Sequence, residues 1–154
     1  MILWRISNHA DLSGRGALQA SARWHTAGHP VVYLAENPAS ALLEILVHLE
    51  TDLDHLPDRY QLLRIHADDD LPFQTIDPAT LPPAWTGSEF ATRARGDAWL
   101  AARQTALLRL PSAILPETWN WLLNPRHPEA GRVRIEQSQH HAFDTRLFHR
   151  PAAK

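Results

Sequence analysis

VVYLAENPASALLEILVH, residues 31–48, is the segment that decides how this chain folds. Its first four residues are apolar or favour β structure, so they predict a buried strand. Asn37 is a good N-cap, and Pro38 suits the first position of a helix. The segment therefore predicts a strand that turns directly into a capped helix.

Glu44 is the acidic residue within this predicted helix. On a helical wheel its neighbours are Ser40, Ala41, Val47 and His48, while the larger leucines take the other side. A carboxylate in such a small-residue seam suits a functional task. The spacing to His48 is also that of an ordinary i, i+4 surface pair. The wheel alone leaves both interpretations open.

Length and composition favour one folded domain. A chain of 154 residues can bury a sizeable core, and 44% hydrophobic residues with six tryptophans argue against disorder. No apolar run reaches the roughly 20 residues that span a bilayer. Residues 1–4 run directly into Arg5 without the pattern of a secretory leader. We therefore expect a cytoplasmic protein without membrane contact.

The charged and sulfur-containing residues exclude several classes of function. The absence of cysteine excludes disulfide scaffolds, thiol nucleophiles and cysteine-bound zinc. A formal net charge of -2 gives no reason to expect direct nucleic-acid binding. Lys154 is the sole lysine, so the cations are almost all arginines, whose planar forks grip phosphate or carboxylate bidentately.

The remaining pattern predicts an α+β fold, a single compact domain over residues 1–154 with small mixed sheets and flanking helices. Further strands are expected at 2–7, 60–67, 132–137 and 142–148, with two short pieces in 106–116 bent around Pro111. A second helix is expected over 89–104 with Ser88 as its cap, although Gly96 weakens its middle. A helical turn is expected over 117–123, a polar linker over 52–58, loops over 72–85 and a frayed tail over 149–154.

Simple catalytic motifs are missing. Ten histidines are present, but none has the His-Glu-x-x-His spacing of a zinc helix, and we expect no metal. Ser112 lacks the Gly-x-Ser-x-Gly elbow of a serine hydrolase. The acidic triplet 68–70 is expected to be a solvated turn.

Several dispersed motifs together resemble the RES domain family. They run in the order that the family uses, from residue 4 to about 128. The blocks are Trp4-Arg5-Ile6-Ser7, Ala22-Arg23-Trp24-His25-Thr26-Ala27-Gly28, Val32-Tyr33-Leu34-Ala35 leading to Ala41-Leu42-Leu43-Glu44, Gly96-Asp97-Ala98-Trp99-Leu100, and Leu108 to Glu117 followed by Asn120 to Pro125. The family more often has Asn at the position of His25.

The resemblance implies a fold similar to ADP-ribosyltransferase toxins and an NAD+-degrading toxin of a bacterial toxin–antitoxin pair. Such a toxin cleaves the nicotinamide–ribose bond with water or inorganic phosphate. NAD+ is then a substrate, no cofactor is needed, and the protein partner is a helix-turn-helix antitoxin.

The resemblance also implies roles for individual residues. Glu44 would stabilise the ribose as it becomes cationic, a task that suits a fixed carboxylate. Tyr33 would offer its ring to nicotinamide or its hydroxyl to the ribose. The catalytic set is Glu44, Arg5, Tyr33 and Ser112, and the substrate-binding set is Arg23, His25 and Asn124.

Two other functions stay open at this point. One is ADP-ribosyl transfer onto a macromolecule. The other is a catalytically silent domain whose arginine-rich pocket holds a nucleotide or a partner chain. Both use the same cluster of residues, so the sequence does not separate them from NAD+ cleavage.

Overall fold

The computed structural model describes residues 1–49 and 58–148. The strands are β1 (Ile2–Ile6), β2 (Val32–Ala35), β3 (Arg59–Ala67), β4 (Phe73–Thr75), β5 (Leu107–Pro111), β6 (Trp119–Leu123) and β7 (Val133–Ala142). The α-helices in this part of the chain are α1 (Pro38–Leu49) and α2 (Glu89–Ala102). The predicted linker, apart from Asp58, and the predicted tail lie outside the described residues.

The strands join in one mixed sheet rather than in several small ones. Their order is β4-β5-β6-β2-β1-β3-β7. Neighbouring strands are antiparallel except β4 and β5, which are parallel. The predicted α+β class is confirmed.

The segment that decides the fold behaves as predicted. Val32 and Leu34 of β2 are buried, and the Asn37 side-chain oxygen accepts a hydrogen bond of 2.8 Å from the Ser40 N–H. This bond satisfies one of the free N–H groups at the start of α1. The cap and the proline therefore set where α1 begins.

Alternate residues of the central strands supply two hydrophobic clusters, one on each face of the sheet. Val32 and Leu34 belong to the cluster that also holds Leu3 and Ile65. Tyr33, between them, packs against the other cluster, which contains Trp24, Trp99, Leu110 and Leu122. Because Tyr33 alternates with buried apolar residues, it faces the side on which α2 packs.

The sheet opens between β1 and β2. β1 pairs with β3 from Ile2 to Ile6, but β1 and β2 pair with each other at Trp4 and Ala35 alone. On one side of this pair, the end of β1 and the beginning of β2 run past each other without pairing, and α1 contacts both strands. The sheet therefore opens between the second half of β1 and the first part of β2.

Several predicted elements were wrong or incomplete. Residues 117–123 were expected to be a helical turn, but Trp119–Leu123 is strand β6, paired on one side with β5 and on the other with β2. Pairing on both edges, together with the β-favouring tryptophans, overrides the local turn signal. Two strands were expected over 132–137 and 142–148, but one strand, β7, runs from Val133 to Ala142, and Thr145–Phe148 is a 3-10 turn.

The region around Pro111 also differs from its prediction. It holds one strand, β5, which ends at Pro111, and the chain then turns instead of forming a second strand. β4 was expected to be loop. Its three exposed residues carry no hydrophobic pattern, and the parallel pairing with β5 defines it.

Candidate active site

A cleft of about 700 Å³ lies where the sheet opens between β1 and β2. Its volume is in the range of small-molecule sites. Arg5, Arg23, Tyr33 and Glu44 all line it, as does Asn120 of β6. Four of the predicted site residues thus come together from β1, the following loop, β2 and α1.

The Glu44 carboxylate is fixed by hydrogen bonds from two separate elements. Its Oε1 accepts 2.6 Å from Asn120 Nδ2 and 3.3 Å from Ser112 Oγ. These donors hold one oxygen of the carboxylate against β5 and β6. Glu44 therefore belongs to the cleft, and the alternative of a plain surface pair with His48 does not describe its contacts.

Ser112 reaches the site through Glu44. It follows β5 directly, is 7% exposed, and is not among the residues that line the cleft. Its Oγ also accepts hydrogen bonds from the Ile114 N–H at 3.2 Å and the Leu115 N–H at 3.3 Å. With both lone pairs occupied, its proton is directed to Glu44. The Ser112 hydroxyl therefore orients the Glu44 carboxylate and does not itself face a ligand in the cleft.

Asn120 is a site residue that sequence reasoning missed. Its Nδ2 makes the shorter bond to Glu44, while its Oδ1 is buried without a hydrogen-bond partner in the structure. The helical turn expected over 117–123 hid its position. The alternation of Trp119, Asn120 and Trp121 is a signal for the strand that carries it, but not for its contact with Glu44.

The Arg5 guanidinium is a partly buried cation at the cleft. Its Nη1 is buried and has no hydrogen-bond partner among the described residues. Burial lowers the pKa of Arg5, and the nearby Asp11 carboxylate partly opposes this shift. An arginine nevertheless keeps its charge in proteins. A partly buried guanidinium that lines the cleft favours an anionic ligand, because the ligand would balance its charge.

α2 anchors the segment that carries Arg23. Thr92 Oγ1 donates 2.6 Å to the Arg23 carbonyl, and Arg93 Nε donates 2.8 Å to the Ala22 carbonyl. A Cβ on Gly96 would lie 1.7 Å from the Trp24 carbonyl oxygen. At Gly96, the residue expected to weaken the middle of α2, the helix thus lies so close to the Trp24 backbone that only glycine fits.

Among the described residues, the Arg23 side chain makes one weak hydrogen bond, 3.4 Å from Nη1 to the Trp85 carbonyl oxygen. With its backbone held by α2 and its side chain lining the cleft, its guanidinium is available to a ligand. Arg5 and Arg23 therefore present two cations to the cavity that holds Glu44.

His25 and Asn124 lie outside the lining of the cleft. His25 is 2% exposed and contacts the Tyr33 hydroxyl, 2.9 Å from its Nδ1. Asn124, also 2% exposed, donates 3.3 Å to the Leu100 carbonyl and accepts 3.1 Å from the Arg126 N–H. The structure does not bring the Asn124 side chain to the other predicted site residues.

Burial raises the pKa of Tyr33 above its ordinary value. We expect the protein to lose stability above about pH 10, because an unfolded tyrosine ionises there while the folded one stays neutral. Below that pH this contribution to stability is fully present. Urea unfolding between pH 7 and 11 should show a smaller alkaline loss for Tyr33→Phe. Tyr60→Phe, at the one other tyrosine, is the control, and equal losses in all three proteins would contradict the assignment.

The described residues, 1–49 and 58–148, contain no group of three or more histidine or acidic side chains arranged to hold a metal ion. None of their helices combines the length and apolarity that crossing a bilayer requires.

The chain is similar to several known proteins. A model of the RES domain matches residues 2–146. "Toxin Res" of Pseudomonas putida is 48% identical over 151 residues, covering 96% of this chain and 100% of that protein. "Prs ADP-ribosylating toxin" of Sphingobium sp. is 35% identical, covering 94% and 95%. A chain of the M. tuberculosis MbcT–MbcA toxin–antitoxin complex shares the fold, with TM-score 0.75, 18% identity and coverage of 92% and 84%. The chain belongs to the RES domain family, as its motifs predicted.

Proposed function

We propose that this protein is a toxin that destroys NAD+ by cleaving the bond between nicotinamide and ribose. The observation that carries the proposal is the meeting of a fixed carboxylate, Glu44, with two available guanidinium groups, Arg5 and Arg23, in one cleft. NAD+ has a matching distribution of charge, because its nicotinamide ring is cationic and its pyrophosphate is anionic. The full-length relatives named as toxins support the same conclusion.

Glu44 stabilises the reacting sugar. When the C1–N bond breaks, its electron pair leaves with nicotinamide, and positive charge develops on the ribose ring. A carboxylate held in place by Asn120 and Ser112 stabilises that charge without reorganising. Within the described residues both hydrogen bonds end on Oε1, so Oε2 is left for a ribose hydroxyl.

Arg5 and Arg23 bind the pyrophosphate. A guanidinium fork matches two phosphate oxygens, and the bonds are strengthened by charge on both partners. Arg5 lines the cleft in a partly buried position, so the substrate balances its charge when it binds. This binding places the nicotinamide ribose at the carboxylate and requires neither a metal nor a cofactor.

The attacking nucleophile is water or inorganic phosphate. Either one forms a new bond to the ribose carbon and releases a proton. The products are nicotinamide with ADP-ribose, or nicotinamide with ADP-ribose 1-phosphate. The two reactions share the stabilised cation and differ in the small group that captures it.

The test is to incubate the purified protein with NAD+, with and without phosphate, and to identify the products by chromatography and mass spectrometry. We expect nicotinamide to be released. A rate that requires phosphate, with a phosphorylated product, assigns phosphorolysis, and an unchanged rate with free ADP-ribose assigns hydrolysis. NAD+ that binds but stays intact under both conditions would contradict the proposal and indicate a silent binding domain.

The proposed partner is an antitoxin of the helix-turn-helix class, and the proposed site of action is the cytoplasm, where NAD+ is consumed. The toxin–antitoxin complex among the similar structures supports an antitoxin as partner. Expression of this chain alone should halt bacterial growth, and co-expression with a cognate helix-turn-helix antitoxin should restore it.

A second candidate function is ADP-ribosyl transfer onto a protein. The name of the Sphingobium relative, an ADP-ribosylating toxin, favours it. In this case a protein nucleophile captures the same ribose cation. NAD+ carrying a label on the adenine side separates the candidates, because transfer leaves the label on a protein and cleavage leaves it in a small product.

A further inference from the structure

We infer that Tyr33 acts on the substrate through its ring and not through its hydroxyl, and that His25 is a positioning residue that holds this hydroxyl away from the reaction. The inference rests on the proposed function and deepens it. It decides between the two roles, aromatic face or hydroxyl donor, that the sequence leaves open for Tyr33.

The contacts of His25 define which nitrogen carries its proton. Nε2 lies 3.0 Å from the Ala20 carbonyl oxygen and 3.2 Å from the Ala17 carbonyl oxygen. Both partners are acceptors, so Nε2 must be the donor. In a neutral imidazole the other nitrogen, Nδ1, is then an acceptor. Nδ1 lies 2.9 Å from the Tyr33 hydroxyl.

The Tyr33 hydroxyl is consequently a donor to His25. The hydroxyl has a single proton, which it donates to Nδ1 in this hydrogen bond. The same oxygen accepts a hydrogen bond of 3.1 Å from the Trp24 N–H. No proton remains for a substrate atom, so the hydroxyl does not act as a general acid or as a donor to ribose.

The surroundings keep this arrangement rigid. His25 is 2% exposed, as is Trp24, and the Trp24 carbonyl is pressed against Gly96 of α2. The His25 and Tyr33 rings lie 5.7 Å apart at 56°. Burial also raises the pKa of the Tyr33 hydroxyl, which keeps it protonated. Tyr33 lines the cleft, and because its hydroxyl is held by His25 and Trp24, the ring is the part of the side chain left for a bound nucleotide.

The first experiment compares Tyr33→Phe with Tyr33→Leu in the NAD+ cleavage assay. Loss of a general acid costs about 10²–10⁴-fold in rate, whereas loss of one positioning hydrogen bond costs about 5-fold to 10-fold. We expect kcat/KM to fall by less than about 10-fold in Tyr33→Phe, since the ring remains, and by at least about 100-fold in Tyr33→Leu. Equal losses of about 100-fold or more in both variants would overturn the inference.

The second experiment tests whether His25 acts through the hydroxyl. His25→Asn keeps a side-chain acceptor for Tyr33, and His25→Leu removes it. We expect Asn to retain more activity than Leu in the wild-type background, and the difference to vanish when Tyr33 is Phe. A difference that persists in the Phe background would show a role for His25 independent of the hydroxyl and would overturn this part.

A third measurement does not depend on activity. Nitrogen NMR of the imidazoles, with His25→Asn to assign the signal, should show His25 protonated at Nε2 and unprotonated at Nδ1. A proton on Nδ1 would overturn the inference even in an active enzyme. If the wild type left NAD+ intact, the proposed function would fail, while the NMR result and NAD+ affinities of the Tyr33 variants would still test the hydrogen bond and the ring.

Discussion

Glu44→Gln is expected to lower kcat/KM for NAD+ cleavage by about 10³-fold or more, because a preorganised charge in the cleft is worth about this much in the transition state. Glutamine has the same shape as glutamate, and its oxygen can still accept the hydrogen bonds from Asn120 and Ser112. What it lacks is the negative charge that faces the developing ribose cation. NAD+ binding, which we propose depends on Arg5 and Arg23, should change far less.

The measurement is nicotinamide release by both proteins at saturating and limiting NAD+, with urea unfolding to compare their stability. Glu136→Gln is the matched control, because Glu136 is an exposed residue of edge strand β7 that pairs with Arg64, and such surface pairs contribute little. We expect the control to retain wild-type activity. Full activity in Glu44→Gln would remove the carboxylate from the mechanism and with it the proposed chemistry.

Gly96→Ala is expected to destabilise the protein by about 3 kcal/mol or more, at the upper end of the cost of overpacking. The added Cβ would lie 1.7 Å from the Trp24 carbonyl oxygen and 2.8 Å from the carbonyl carbon. These atoms are backbone and cannot rotate away. The segment around Trp24 must therefore move off α2, which also displaces Arg23 and loosens the support of Tyr33.

Urea unfolding measures this effect directly, and the Michaelis constant for NAD+ reports the displacement of Arg23 in any protein that still folds. Gly131→Ala is the matched control. A Cβ at Gly131 meets nothing within 4 Å, so its change should stay within about 0.5 kcal/mol. An unfolding midpoint for Gly96→Ala equal to that of the wild type would show that the close contact is not real.

Local signals predicted the parts of the fold that form from neighbouring residues. The N-cap at Asn37, Pro38 after it, and the alternating pattern of β3 each act over a few positions, and the structure has these elements where the sequence indicates. β6 is different. Residues 119–123 carry a weak local pattern, and β5 and β2 on either side of them determine that they form a strand.

The candidate site divides in the same way. Motif resemblance indicated Arg5, Arg23, Tyr33 and Glu44, and the fold brings all four to one cleft. Asn120 was not predicted as a site residue, because its place in the site depends on its hydrogen bond to Glu44, 76 positions earlier in the chain. Neither periodicity nor propensity carries information over that distance.

By itself, the sequence determined the α+β class, the strand that turns into a capped helix, and the set of charged and aromatic residues suited to a dinucleotide. Only the tertiary structure decided which groups each of these side chains contacts. In the fold, Ser112 contacts Glu44 and does not line the cleft, and His25 contacts the Tyr33 hydroxyl. Gly96 lies directly against the Trp24 carbonyl. The physical reason is that secondary structure follows from short-range preferences, whereas the direction and partner of a functional side chain depend on strands and helices that are distant in the chain.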